Sequence, residues 1–262
     1  MMRCVSVWMV LSAMLGAGLT AQAPSSTVPR FEVATVKPSR PNAVGGGFDS
    51  SPGRFAAENQ SLAALIFFAY DTDRFRTAGP DWIARERFDI SATGAVTGQA
   101  KPMVRQLLQD RFGLRAHVDT RRVPVYLLTV ARADGTLGPN LRRVEMDCSK
   151  REPLPDGMMP CSTRNQPRGT LVARGTNWQT AILHRELATA MDRLVLDRTN
   201  LKGQFDMRLE WSDPVVQSTD AAAVDRPSLV TALREQLGLK LEPAIEAVPV
   251  LVIDRIERPS PD

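Results

Sequence analysis

An eleven-residue pattern of apolar and polar residues recurs in this chain, so any fold it adopts must find a place for similar apolar faces two times over. Val104–Leu114 recurs as Leu229–Leu239, a displacement of 125 positions (229 − 104), and the same displacement carries Val123-Pro124-Val125 onto Val248-Pro249-Val250. Upstream, Phe88-Asp89-Ile90 recurs as Phe205-Asp206-Met207 at a displacement of 117 (205 − 88). Ser61-Leu62 with Leu65-Ile66 corresponds more loosely to Asn177-Trp178 with Ala181-Ile182 at 116 (177 − 61). The order of segments is kept. The eight extra residues of the second copy fall between Trp211 and Pro227, a polar stretch of the kind that loops absorb.

Each copy reads as strand-helix-strand-strand-helix-strand. In copy one a strand is expected near Arg54–Ala57, then a helix capped by Asn59 or Ser61. Its Leu62, Leu65, Ile66 and Ala69 fall at i, i+3, i+4 and i+7 on one apolar face. Phe88–Ala92 alternates apolar and polar as a half-buried strand does. A helix from about Pro102 ends at Gly113, a residue suited to a left-handed C-cap, and a strand pair follows, Leu114–Val118 and Val123–Val130. Pro124 is expected at a strand's first position or at an edge, where its missing donor matters least. Copy two repeats the order: a strand near Leu171–Ala173, a helix over Trp178–Met191, strands around Leu194–Leu196 and Phe205–Trp211, a helix over Pro227–Leu237, and strands Leu239–Leu241 and Pro249–Arg255. The fold class is therefore α+β: an internally duplicated unit of mixed or antiparallel sheets with helices on one face. Copy one spans about 54–132, a connector about 133–169, and copy two about 170–256. Phe31–Val36 is an additional alternating strand, and the Gly/Ser/Pro-rich run from Pro41 to Gly53 reads as a flexible loop. Its Gly45-Gly46-Gly47 lacks the spacing of a dinucleotide loop.

Ahead of these elements, Arg3 precedes an apolar run from Val5 to Leu19 that ends in Ala21-Gln22-Ala23, the pattern of a secretory signal peptide over residues 1–23. Cleavage is expected after Ala21 or Ala23, leaving a secreted or periplasmic product, 24–262, without stable membrane insertion. Removing Arg3 changes 33 basic side chains to 32 against 29 acidic, a net charge of +3. So weak a field, with no run interleaving basic and aromatic residues, argues against nucleic acid as a partner. Cys148 and Cys161 remain in a Pro/Gly-rich stretch. In an oxidising compartment they most simply form a disulfide that pins the loop; the competing reading, a metal or redox pair, has neither C-x-x-C spacing nor a nearby histidine.

The chain resembles a family of exported proteins of soil bacteria that carry the DUF3738 domain. The resemblance is carried by Phe31–Pro38, Arg54–Asn59 leading into Leu65–Tyr70, Gly79–Trp82, Phe88–Ile90, Leu108–Phe112, Val123–Tyr126, Asp197–Thr199, Leu209–Trp211, Glu235–Leu239 and Val252–Asp254. Where the family has Thr-Gly-Leu this chain has Thr199-Asn200-Leu201, and asparagine tolerates the positive φ such a turn needs. The resemblance implies no reaction, cofactor or catalytic residue. Related domains on membrane metalloprotease sensors imply ligand or partner sensing outside the membrane. The repeating unit is also similar to the short N-terminal domain of secretins and TonB-dependent receptors, which docks other proteins.

Candidate chemistry is sparse. The two histidines are His117, in an alternating strand beside Asp119, and His184, mid-helix near Glu186, and both read as surface or half-buried side chains. No zinc or serine motif is present, so no catalytic, cofactor or metal residue is assigned. Asp89 and Asp206 occupy equivalent places and read as polar-face or turn-capping residues, or else as paired carboxylates. Asp197-Arg198-Thr199 reads as a turn that satisfies its own backbone, or as an anion site. Trp82, after Gly79-Pro80, is either a core plug or an indole presented to a partner; with Tyr70 and Tyr126 it makes the candidate binding surface of copy one. The expected function is a non-catalytic module that binds a protein, peptide or envelope polymer through a sheet edge or a groove between the copies. The alternatives are an extracytoplasmic hydrolase whose acidic site assembles on folding, and a structural envelope protein.

Overall fold

The computed structural model describes residues 29–94, 100–165, 169–178, 187–212 and 226–259. The segment expected as a signal peptide, His184 and most of the helix expected over Trp178–Met191 lie outside the described residues, as does most of the eight-residue insertion. Among the described residues the fold is α+β, twelve strands in three four-stranded sheets with helices against them. No helix there is long and apolar enough to cross a membrane.

The first sheet contains β1 (Val33–Pro38), β2 (Gly47–Ser51), β3 (Arg54–Ser61) and β5 (Arg87–Thr93) in the order β1-β5-β3-β2. Helices α1 (Leu62–Tyr70), α2 (Trp82–Arg85) and α3 (Ala100–Phe112) pack into one core with it. Ser61 caps α1 by accepting from the Ala64 N–H at 3.1 Å, and Leu62, Leu65, Ile66 and Ala69 are fully buried. They meet Phe55, Ala57, Phe88 and Ile90 of the sheet and Val104, Leu108 and Phe112 of α3. Asn59, the other expected cap, serves the sheet instead.

The second half repeats this layout. β7 (Leu141–Val144), β8 (Ser162–Arg164), β9 (Thr170–Asn177) and β11 (Gln204–Glu210) lie in the order β7-β11-β9-β8. The helix Leu229–Ala232, continued by a π turn at Leu233–Leu237, buries Leu229, Ala232, Leu233 and Leu237 beneath it. Ala57 faces Ile90 and Gln60 faces Phe88 in the first sheet; Ala173 faces Met207 and Thr176 faces Phe205 in the third. In both, the register slips between those two pairs, a β-bulge, and the bulged residue has positive φ: Asn59 at 49° and Gly175 at 58°.

The central sheet, by contrast, belongs to neither half alone. β6 (Arg115–Val130) and β12 (Leu239–Arg255) pair antiparallel along nearly their whole length, flanked by β10 (Leu194–Asp197) on β6 and β4 (Thr77–Ala78) on β12. The expected strand pairs in each copy are thus single long strands. Pro124 and Pro249 do not break them, because both sit just before the stretches where β10 and β4 add on, beside a free outer edge. Arg122 faces Ala247, and 247 − 122 is 125, the displacement of the sequence repeat. The ribbon therefore has a local two-fold centre at that pair. Each strand carries its far end into the other half: Leu128 of β6 is buried in the second core and Leu251 of β12 in the first. The chain leaving each strand closes the opposite helix, with the Ala131 N–H donating to Gly238 O at 2.8 Å and the Glu257 N–H to Phe112 O at 2.7 Å.

Two further expectations change. The Pro41–Gly53 segment is not all loop, since Gly47–Ser51 pairs with β3 as an edge strand. The connector between the copies supplies β7 and β8, which take the places that β1 and β2 hold in the first sheet.

Because the cores share strands, they should unfold together. Leu128→Ala and Leu251→Ala are each expected to cost about 2–5 kcal/mol, read as one cooperative urea transition by both near-UV circular dichroism and tryptophan fluorescence. Two separated transitions in either variant would show independent halves.

Candidate functional site

The bulges decide what Asp89 and Asp206 do. Asp89 Oδ1 accepts from the Asn59 backbone N–H at 2.7 Å and from Ser39 Oγ at 2.7 Å; Asp206 Oδ1 accepts from the Gly175 N–H at 2.9 Å. Each carboxylate satisfies the donor its own bulge leaves over, and the two lie in different sheets, so they are not a catalytic pair. Asp197 Oδ1 likewise takes the Thr199 N–H at 2.8 Å and Thr199 Oγ1 at 2.7 Å, and Asn200 adopts φ 57°, so this turn consumes its own donors. His117 Nδ1 lies 2.9 Å from Asp254 Oδ2 on the exposed end of the ribbon. Among the described residues no three His, Cys, Asp or Glu side chains gather as a metal site would require. Cys148 and Cys161 are at disulfide distance, with Cα atoms 5.4 Å apart, and close a loop whose Met158 is buried.

Tyr70, Trp82 and Tyr126 do not form one surface. Tyr70 and Trp82 pack against the first core and Tyr126 against the second, all half-buried. Each ring already carries a guanidinium: Arg105 at 5.1 Å over Tyr70, Arg258 at 4.9 Å over Trp82, and Arg193 at 4.9 Å over Tyr126. Arg258 is itself held by Glu86 at 2.6 Å.

Among the described residues a concavity of about 780 Å³ lies between the halves. Its first wall is the end of α1 and the turn after it. Asp71 at φ 53° stops the helix, and Asp73 Oδ1 accepts from the N–H groups of Phe75 and Arg76 at 2.9 and 3.0 Å, starting the 3-10 turn Arg74–Arg76. That sequence presents Phe67, Phe68 and Phe75 to the groove. The opposite wall is Ala188, Thr189 and all four residues of β10, the outer strand of the central sheet. Asp71 pairs with Lys101, and Arg74 reaches Asp192 at 2.9 Å across the groove. Phe68 also stacks on Phe48 at 5.1 Å and lies 5.6 Å from Phe55, so the groove continues into an aromatic cluster reaching the exposed β2 edge.

Sequence reasoning missed Phe67 and Phe68, although the signal was present. Once Leu62, Leu65, Ile66 and Ala69 define the buried face, the two phenylalanines fall off it, and large apolar residues off the core face ask for another partner.

The family described as a protein of unknown function, DUF3738, matches residues 63–256. The chain belongs to this family. The match starts one residue inside α1 and ends one residue past β12, so this DUF3738 chain places the rest of α1, all of α3 and the whole β6–β12 pair within the shared region. Neither the curated proteins nor the solved structures contain a match to it.

Burial raises the Tyr70 phenol above the ordinary tyrosine value of about 10, outweighing the Gln109 hydrogen bond and the Arg105 charge, which lower it. A group raised on folding stabilises the fold below its unfolded pKa and loses that contribution as pH climbs through the folded one. With only two tyrosines in the chain, ultraviolet titration of Tyr126→Phe reports Tyr70 alone. A midpoint above 10 is expected; one at or below it would mean that burial does not outweigh Gln109 and Arg105.

Proposed function

We propose that this DUF3738 protein is an exported, non-catalytic binding module whose groove between the halves holds a segment of a partner polypeptide. The observation that carries the reading is the groove itself, with Phe67, Phe68 and Phe75 on one wall and the outer strand β10 on the other. An extended segment laid along β10 would satisfy its own main chain by pairing with the strand, while alternate side chains enter the aromatic wall. Export is supported by the Arg3 and Val5–Leu19 pattern and by a cysteine pair suited to an oxidising compartment. The repeat of the pairing order in the two flanking sheets supports descent of both halves from one unit, with the groove made by elements from each. An envelope polymer is the competing partner, and aromatic walls also suit sugar rings.

The test is capture from envelope and culture fractions by the mature protein, beside Phe68→Ala and Trp82→Ala. A defined polypeptide retained by the wild type and by Trp82→Ala, and weakened about tenfold or more by Phe68→Ala, is the expected result. Equal retention by Phe68→Ala would remove the groove from the reading, and retention of carbohydrate alone would assign an envelope polymer instead.

A further inference from the structure

The middle of the central ribbon has a face that no described residue covers. In the antiparallel register, Val118, Thr120, Arg122 and Pro124 of β6 share one face with Pro243, Ile245, Ala247 and Pro249 of β12. All eight are exposed, Val118 at 67% and Ile245 at 61%, whereas the opposite face buries Val125, Val248 and Val250. Seven of the eight are uncharged. The eighth, Arg122, stands at the two-fold centre, and its side chain has no hydrogen bond or ion pair with any described residue.

The prolines bear on what this face takes. Pro124, Pro243 and Pro249 fall in the alternate set of residues whose backbone groups point away from the partner strand, since a proline cannot donate within the ladder. Here those groups point to outer edges of the ribbon that no described strand pairs, since β10 pairs with residues 125–128 and β4 with 251–252. Removing donors there blunts strand addition. With the edges blunted, a ligand docks on the face, which presents side chains and no free backbone groups, so a single segment must bring a main chain already satisfied internally, as a helix does. A second copy fits poorly, since face-to-face packing would bury two guanidiniums with no counter-charge. The bare stretch is about 20 Å long, matching a helix of roughly 13 residues.

We propose that the exposed ribbon face docks an amphipathic helix of a partner protein, whose apolar stripe carries an aspartate or glutamate that pairs with Arg122. Val118 and Ile245 grip the stripe, and the carboxylate gives the complex its orientation. This surface is separate from the groove along β10, so either can fail alone.

The probe is a displayed library of helical peptides about 14 residues long, randomised on one face. It is selected on the mature protein and counter-selected on Ile245→Asp. Enriched peptides are expected to carry Asp or Glu in the randomised face. By fluorescence anisotropy they should bind Arg122→Ala about tenfold more weakly or worse, with Arg122→Lys restoring part of the loss. Val118→Asp should abolish binding with the unfolding midpoint unchanged. Enrichment no greater than on Ile245→Asp, winners without an acid, or affinity indifferent to Arg122→Ala would each overturn the proposal. So would a wild-type dimer in sedimentation that Ile245→Asp dissociates, since the face would then belong to a second copy.

Discussion

Everything in this fold hangs on one antiparallel contact, the pairing of β6 with β12 from Leu239 opposite Val130 to Arg255 opposite Arg115. Two strands of sixteen and seventeen residues are longer than ordinary strands, and they span from one core to the other. Leu128 and Leu251 are each buried in the core of the half that does not contain their strand's helix. Neither half completes its core without the other. The short strands β4 and β10 obey the same exchange, each pairing with the long strand of the opposite half. The groove beside β10 and the bare face of the ribbon are both products of this crossing.

The flanking sheets show how far a shared plan lets surfaces diverge. Asp89 and Asp206 do the same work, each holding the N–H of a bulge at positive φ, but Asn59 also binds the Ala43 and Gly45 carbonyls while Gly175 packs against Met146. A Cβ at Gly175 would lie 2.5 Å from the Met146 sulfur, so the second bulge needs glycine, whereas the first is open enough to use an asparagine side chain as a tether. The disulfide-closed loop seats Met158 on the second half, and Gln204 Nε2 bonds the Met146 carbonyl at 3.1 Å beneath it. One sheet face is thus held by a covalent clasp and its equivalent by an asparagine.

Much of this was legible in the sequence, because a repeated 3.6-residue stripe and a repeated alternating strand mark elements whatever they pack against. α1, α3, β5 and β11 follow from such patterns, and Gly113 and Gly238 end their helices at φ 58° and 69°. The long strands were not legible, since Pro124 and Pro249 carry the signature of a strand start and only the tertiary register shows that their outer edges are free. β2, β7 and β8 were lost for a related reason: short edge strands take their order from the neighbour they pair with. At the site, Tyr70, Trp82 and Tyr126 drew attention as large amphipathic rings, yet each had a guanidinium of its own, a contact between residues far apart in sequence for Trp82 and Tyr126. Phe67 and Phe68 were the better signal, being apolar residues left off a buried face.

The most direct test of the exchanged architecture is a cross-link at its centre. Arg122 and Ala247 face each other in the alternate set where antiparallel Cα atoms approach to about 4.5 Å, within the span a disulfide bridges. The double variant Arg122→Cys with Ala247→Cys, oxidised and mapped by peptide mass spectrometry, should give an intrachain 122–247 bond in high yield. Moving one partner to the opposite face, Arg122→Cys with Val248→Cys, should not. No 122–247 bond, or equal yields from both pairs, would mean that the two halves do not meet in this register, and the shared cores, the groove and the bare face would go with it.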